Sequence, residues 1–314
     1  MNLSRDGLLL VDKPAGPTSH DVVEAARRAL RERRIGHTGT LDPAATGLLL
    51  LCVGRATRLQ HYLLSWPKTY IGEIRLGWAT TTYDVEGELA GEPSPVPTLD
   101  EATLAALVKQ FSGELDQLPP PYSAKKTGGK KFYELARAGE QVPLEPKRVR
   151  IHEIALQKKD DEYIAFEVTC SSGTYLRSLA HDIGRTLGCG GHLASLRRLR
   201  VGPWDVSRAV PAEVLANRPR DISEAAFVPL SEAALPFPTV VLNPVAASHF
   251  CHGQDVVVRE AEGDFVTGKE VVVRDRDGGL LGVGVALAYL PRARTLNLAP
   301  RAVLASQVEG RRQP

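Results

Sequence analysis

A chain of 314 residues, 43% hydrophobic and 24% charged, has the makeup of a folded globular protein and excludes a disordered or low-complexity one. Its formal net charge of +2 decides little, because a nucleic-acid partner is marked by where charge sits and not by its sum. The longest apolar stretch, Leu280 to Leu290, falls well short of the ~18 residues of a membrane span, and four cysteines without a C-x-x-C pair imply reduced thiols in a cytosolic setting.

The length exceeds that at which single cores usually stop growing, so one large and one small domain are expected. The opening residues MNLSRDGLLLVDKP show no extended apolar region or cleavage site and read as mature structure. Gly7 to Val11 is predicted as a short buried strand, ended by the turn Asp12 to Pro17. Thr18 or Ser19 can then cap a helix whose apolar positions are Val22, Val23, Ala26 and Leu30.

The next segment, GHTGTLDPAATG, crowds Gly36, Gly39 and Gly47 around Asp42. Asp42 is the only carboxylate between Glu32 and Glu73, whereas Arg33, Arg34, Arg55, Arg58 and Lys68 supply five cations. An apolar run, Leu48 to Val53, and a helix near Arg55 to Leu64 follow. Lys68 to Gly77 alternates as a strand should, with Tyr70, Ile74 and Leu76 on one face. An exposed Pro/Gly/Glu loop over Ala90 to Pro97 leads to a helix from about Leu99 to Phe111.

Between Pro121 and Arg150, eight Lys/Arg stand against three Glu, with Tyr122, Phe132 and Tyr133 interspersed. That composition fits a flap gripping nucleic acid and fits a solvated surface about equally. Strands over Arg148 to Gln157 and Tyr163 to Cys170 precede a helix opened by Gly173-Thr174 and closed by Gly188. Its apolar stripe is Leu176, Leu179, Ala180, Ile183 and Leu187, and Arg177, His181 and Arg185 line another face. Arg177 is a misfit: a cation in the first turn opposes the helix dipole and takes the capping-box position suited to Glu or Gln. A buried or half-buried anion elsewhere would explain it. From Ser171 to Arg208 six Arg face two Asp.

Beyond Pro236 short strands, Asp255 to Val258, Glu270 to Val273 and Leu280 to Leu287, alternate with Gly and Asp turns and predict a small β-barrel-like domain. Cys189-Gly-Gly-His192 and the group His249, Cys251 and His252 lack a second ligand pair at zinc spacing, so no metal is assigned.

Taken alone, Leu41-Asp42-Pro43 is more often a helix cap than a catalytic group. The glycines around it shift the balance toward a rigid loop presenting a functional side chain. A carboxylate among cations stays ionised, which suits a nucleophile and argues against a general acid. No partner carboxylate, acidic cluster, P-loop or Rossmann glycine pattern accompanies it. One ionised acid acting without a cofactor on something negatively charged remains.

The stretches GLLLVDKPAGPTSHDVV, GHTGTLDPAATGLLLLCVGRATRL, PPYSAKKTGGKKFYELARAGE, CSSGTYLRSLAHDIG and CGGHLASLRRLRVGPW together resemble the bacterial tRNA pseudouridine synthase B family, in order, over about the first 210 residues. Members isomerise the uridine at position 55 in the T-loop of tRNA. The resemblance implies an α/β (α+β) fold: a mixed, largely antiparallel central sheet flanked by helices over residues 1–236, with a thumb-like insertion over about 121–146. Residues 237–314 would form a small C-terminal β-barrel-like PUA-type RNA-binding domain. It further implies that Asp42 is the catalytic aspartate, that Arg177 pairs with it, and that Tyr70 stacks on a flipped base with a part in proton transfer open to it. Tyr175 would contact the nucleotide, Leu196 would wall the pocket, and His37 would take the place of, or pack against, displaced bases. No cofactor and no metal are expected; the partner is the T-arm of tRNA, and a cytoplasmic monomer acting away from membranes is expected. One departure stands in TTTYDVEGE, where the family usually has an acid at the position of Thr81, while Asp84 and Gly87 fit. An RNA-binding folding helper and a metal-dependent nuclease are the competing readings.

Overall fold

The computed structural model describes residues 6–121, 126–127, 130–131, 145–217, 222 and 224–304. The expected thumb over 121–146 therefore lies almost wholly outside the described residues. The chain divides into two compact units: residues 1–42, 49–66 and 206–314 form the first, and residues 43–48 and 67–205 the second. No helix among the described residues is long and apolar enough to cross a membrane.

In the first unit, β1 (Gly7–Lys13) pairs with β3 (Thr46–Val53), and β3 with the short β2 (Ile35–His37). Both long strands are near-continuous aliphatic runs because both of their faces are covered; Leu8, Leu9, Leu10, Leu48, Leu49, Leu50 and Leu51 have no exposed surface. Helix α1 (Ser19–Leu30) lays Val22, Val23 and Ala26 on Leu9, Val11, Leu49 and Leu51. Thr18 is its cap: the hydroxyl accepts from the Asp21 amide, and the Asp21 carboxylate accepts from the Thr18 amide, 2.8 Å. The helix expected near Arg55 to Leu64 is a 3₁₀ segment, Gly54–Leu59, followed by a single α-turn, Gln60–Leu63. Gly54 enters it with φ of 62°, and the Thr57 hydroxyl donates back to the Gly54 carbonyl, a local bond that favours the tighter winding.

Beyond Pro236 the same unit carries a curled half-barrel sheet built of five strands with its own core. The three predicted strands are present as Val256–Val258, Glu270–Arg274 and Leu280–Leu290, joined by Thr239–Val241 and Thr295–Val303. Thr295–Val303 escapes sequence reading because Pro300 argues against a strand; the register shifts where Gly284 faces Pro300, a bulge that relieves the missing N–H. Helix Pro244–Cys251, capped by Asn243, puts Phe250 into the core beside Val271, Val273, Leu296 and Leu298.

The second unit is a largely antiparallel sheet. Strand β4 (Lys68–Leu76) lies between β7 (Tyr163–Cys170) and β8 (Gly191–Val201), and β6 (Lys147–Lys158) and β5 (Gly113–Gln117) continue the sheet beyond β7. Strand β8 also takes a parallel partner, the segment Thr46-Gly47 at the start of β3. Helices α2 (Glu101–Phe111) and α3 (Leu176–Thr186) flank this sheet; Leu179, Ala180 and Ile183 of α3 are buried, as their spacing predicts.

Candidate active site

Residues 36–47 do not lead into a helix: the chain makes a turn at Pro43-Ala44 and runs straight into β3, so Asp42 is not a helix cap. The bland reading of Leu41-Asp42-Pro43 is thereby removed. On the near side of Asp42, the Ser19 hydroxyl, buried at the start of α1, accepts from the Leu41 amide at 2.8 Å and donates to the Leu41 carbonyl at 3.0 Å. One hydroxyl thus fixes both backbone groups of the preceding residue.

On the far side, Gly47 has φ of +100°, and a Cβ placed there would stand 2.7 Å from the Arg198 amide nitrogen and closer still to the Arg198 carbonyl. Only glycine fits a left-handed position pressed on a neighbouring backbone. Thr46 donates to the Leu196 carbonyl at 3.4 Å, and the buried Arg198 donates its Nε to the Leu48 carbonyl at 2.6 Å. Asp42 itself is half-buried, as is His37, whose Nδ1 accepts from the Gly39 amide.

Tyr70 is 8% exposed on β4, opposite Val168 of β7 and Arg198 of β8. Two residues earlier on the same face, Lys68 is 5% exposed. Burial, then the charge of Arg198, lowers its pKa to about 8. Leu196 lines a cavity of about 550 Å³ with Ala44, Thr46, Gly72, Phe166 and Arg197, a volume in the range of small-ligand pockets.

Arg177 pairs with a buried carboxylate, that of Asp84. The guanidinium donates to Asp84 Oδ2 and to the Thr82 carbonyl, both at 3.2 Å, and the two side chains are 11% and 10% exposed. Asp84 is oriented in turn by the Thr82 hydroxyl and by the Glu86 amide at 3.0 Å. The helix begins one residue later than expected, with Tyr175 as N-cap, so Arg177 is its second residue and Ser178 holds the capping-box position. Gln117 substitutes for a local cap: its side chain accepts from the Tyr175 amide at 2.7 Å and donates to the Tyr175 carbonyl at 3.0 Å. Asp84, Lys68, Arg198 and Gln117 were not singled out as functional from sequence. Asp84 carried a visible signal, since it matched the family pattern beside the departure at Thr81.

The family model described as "TruB family pseudouridylate synthase (N terminal domain)" matches residues 27–176, "tRNA pseudouridylate synthase B C-terminal domain" matches residues 177–237, and "Pseudouridine synthase II TruB, C-terminal" matches residues 238–289. Two curated relatives named tRNA pseudouridine synthase B, from Azoarcus sp. (strain BH72) and Thermobifida fusca (strain YX), are 44% identical over 80% of this chain and 83% of theirs, and 47% identical over 80% and 86%. A solved Cbf5-Nop10-Gar1 complex contains a chain similar at TM-score 0.76 and 26% identity, over 96% of this chain and 86% of that one. The chain belongs to the TruB family of pseudouridylate synthases.

Proposed function

We propose that this enzyme converts uridine 55 in the T-loop of tRNA to pseudouridine, with Asp42 as nucleophile and no cofactor. Conversion of tRNA uridine rests on the relatives, whose name is tRNA pseudouridine synthase B. A structural neighbour at 25% identity and TM-score 0.74, over 96% of this chain and 86% of that one, is titled as an H/ACA RNP bound to a substrate RNA containing 2'-deoxyuridine. The observation that carries the mechanistic reading is the loop braced on both sides of Asp42, by Ser19 before it and by the backbone of β8 after it. Such bracing fixes a reacting group within the small tolerance that catalysis requires.

The target uridine is reached by flipping it out of its stack into a pocket. Asp42 attacks the sugar or the base, and the bond from the ribose C1' to N1 breaks. The ring turns, C5 bonds to C1', and the bond to Asp42 breaks, returning the free carboxylate. The proton displaced from C5 is balanced by one taken up at N1, so the product is an isomer and needs no redox partner. Arg177 pairs with Asp42; a guanidinium has five N–H donors, enough for this carboxylate as well as Asp84. Tyr70 stacks on the flipped base, Leu196 walls its pocket, Tyr175 contacts the nucleotide, and His37 occupies space left by displaced bases. Residues 237–314 act as a PUA-like RNA-binding domain, and the enzyme works as a cytoplasmic monomer.

The test is incubation of purified protein with a tRNA transcript carrying 5-tritiated uridine and no added cofactor, with pseudouridine located by mass spectrometry. Tritium should be released at position 55, and Asp42→Asn should abolish release while leaving tRNA binding within a few-fold. Pseudouridine made by Asp42→Asn would exclude Asp42 as nucleophile. An RNA-folding helper without chemistry would release no tritium from the wild type.

A further inference from the structure

We infer that Tyr83 and His181 form a stacked clamp that positions Arg177, and that both are positioning residues for the isomerisation; this rests on the role proposed above for Arg177. Tyr83 lies between the two groups to which Arg177 donates, the Thr82 carbonyl and the Asp84 carboxylate. Its φ is +65°, a left-handed conformation that is strained for a bulky aromatic residue. That single reversed residue turns a carbonyl from one side and a carboxylate from the other toward the same guanidinium.

Such a conformation persists only where its surroundings over-determine it. Here the Tyr83 carbonyl accepts from the Leu193 amide at 3.0 Å, the Tyr83 amide donates to the Thr80 carbonyl at 3.2 Å, and the ring lies flat on His181, with centroids 3.9 Å apart and planes at 11°. His181 is four residues after Arg177 on α3, so the two side chains project from one helix face a turn apart. The 82–84 segment therefore rests on α3 at two points: the ion pair with Arg177 and the aromatic stack on His181.

The histidine is not explained by stability. Its Nδ1 is buried with no hydrogen-bond partner among the described residues, a state that costs free energy and that phenylalanine would avoid. Burial also holds the ring below its ordinary pKa, with Arg185 acting in the same direction and Asp182 opposing. A neutral ring can stack on Tyr83 without adding a second cation one turn from Arg177.

Four variants separate positioning from mere folding. His181→Ala removes the platform, and Tyr83→Gly removes the ring while relieving the left-handed strain. Each should lower kcat about 10- to 100-fold with KM for tRNA changed less than about 3-fold, and Tyr83→Gly should do so without lowering the melting temperature. The double variant should lose no more than the worse single one, because both act through one contact. His181→Phe, which keeps a planar ring, should restore kcat to within about 3-fold of wild type. Full kcat in folded Tyr83→Gly, or in folded His181→Ala, would overturn the clamp; if His181→Ala does not fold, Tyr83→Gly and His181→Phe decide. Arg177→Met is the control: if it retains activity, the role given to Arg177 fails, whereas an inactive Arg177→Met beside fully active clamp variants refutes the clamp alone.

Discussion

Replacing Gly47 with alanine should damage the enzyme far more than the same change at Gly16, although both glycines have nearly the same backbone conformation. Their φ values are +100° and +106°, so each alanine incurs the left-handed penalty of roughly 1–2 kcal/mol. That penalty is partly offset, by about 0.4–1 kcal/mol, through the reduced freedom of the unfolded chain. At Gly16 nothing lies within 4 Å of the added carbon, so the net cost should be about 0.5–1 kcal/mol. At Gly47 the added carbon meets the amide, carbonyl carbon and carbonyl oxygen of Arg198. These are backbone atoms of a paired strand and cannot rotate away, which adds roughly another 1–3 kcal/mol of overpacking. The two variants should differ by about 2 kcal/mol, or about 30-fold in the unfolding equilibrium. Because Gly47 follows Asp42 by five residues on the segment held to β8, its activity should also fall by more than ten-fold while Gly16→Ala stays near wild type. Urea unfolding and tritium release measure the two effects. Equal stability and equal activity of the two variants would refute the claim that the contact with β8 fixes this loop.

Asp84→Asn should cost about 3 kcal/mol of stability, since it removes the charged partner from an almost buried ion pair with Arg177, and a thermal shift no larger than that of an exposed Asp→Asn change would contradict it. Lys68→Met should stabilise the protein by about 2–3 kcal/mol at neutral pH. A lysine brought from its ordinary 10.5 to about 8 opposes folding fully below pH 8 and progressively less as pH rises to 10.5; a gain that does not shrink over that interval would exclude the assignment. A thiol reagent applied to the native protein at pH 8 should modify at most one cysteine rapidly. Burial pushes Cys52 to about 12 and Cys170 to about 11, and Cys189 is buried, which leaves the half-buried Cys251. Rapid reaction of two or more would be inconsistent with that burial.

The parts of this fold that follow local rules could be read from the chain. Thr18 with Asp21 announces α1, the leucine runs announce β1 and β3, and the stripe from Leu176 to Leu187 announces α3. What could not be read is whatever depends on a partner distant in sequence. Gln117 caps α3 from 58 residues away, and Ser19 brackets Leu41 from 22 residues away. Neither leaves a trace in the local spacing. The curled C-terminal sheet was legible as to kind but not as to its last strand, where Pro300 is tolerated by a bulge whose existence depends on the partner strand. For the site, Arg177 could be recognised because it violates a rule of its own helix. Its partner Asp84 violates none and so stayed unassigned.

The violations in the second unit are not scattered. A cation opens α3, Tyr83 takes a left-handed conformation, Lys68 is buried within reach of the charge on Arg198, and Arg198 is itself 2% exposed. Each costs stability on its own, and chains that specify one structure tolerate such conflicts chiefly where function demands them. All but the Tyr83 backbone concern positive charge withdrawn from water beside the strand that carries Tyr70. Charge withdrawn from water is screened less by salt than charge at the surface. We propose that this positive charge helps attract the phosphate backbone of RNA. On that account Lys68→Met, which removes one of these charges, should weaken tRNA binding as well as stabilise the fold, and unchanged affinity at low salt would refute the link.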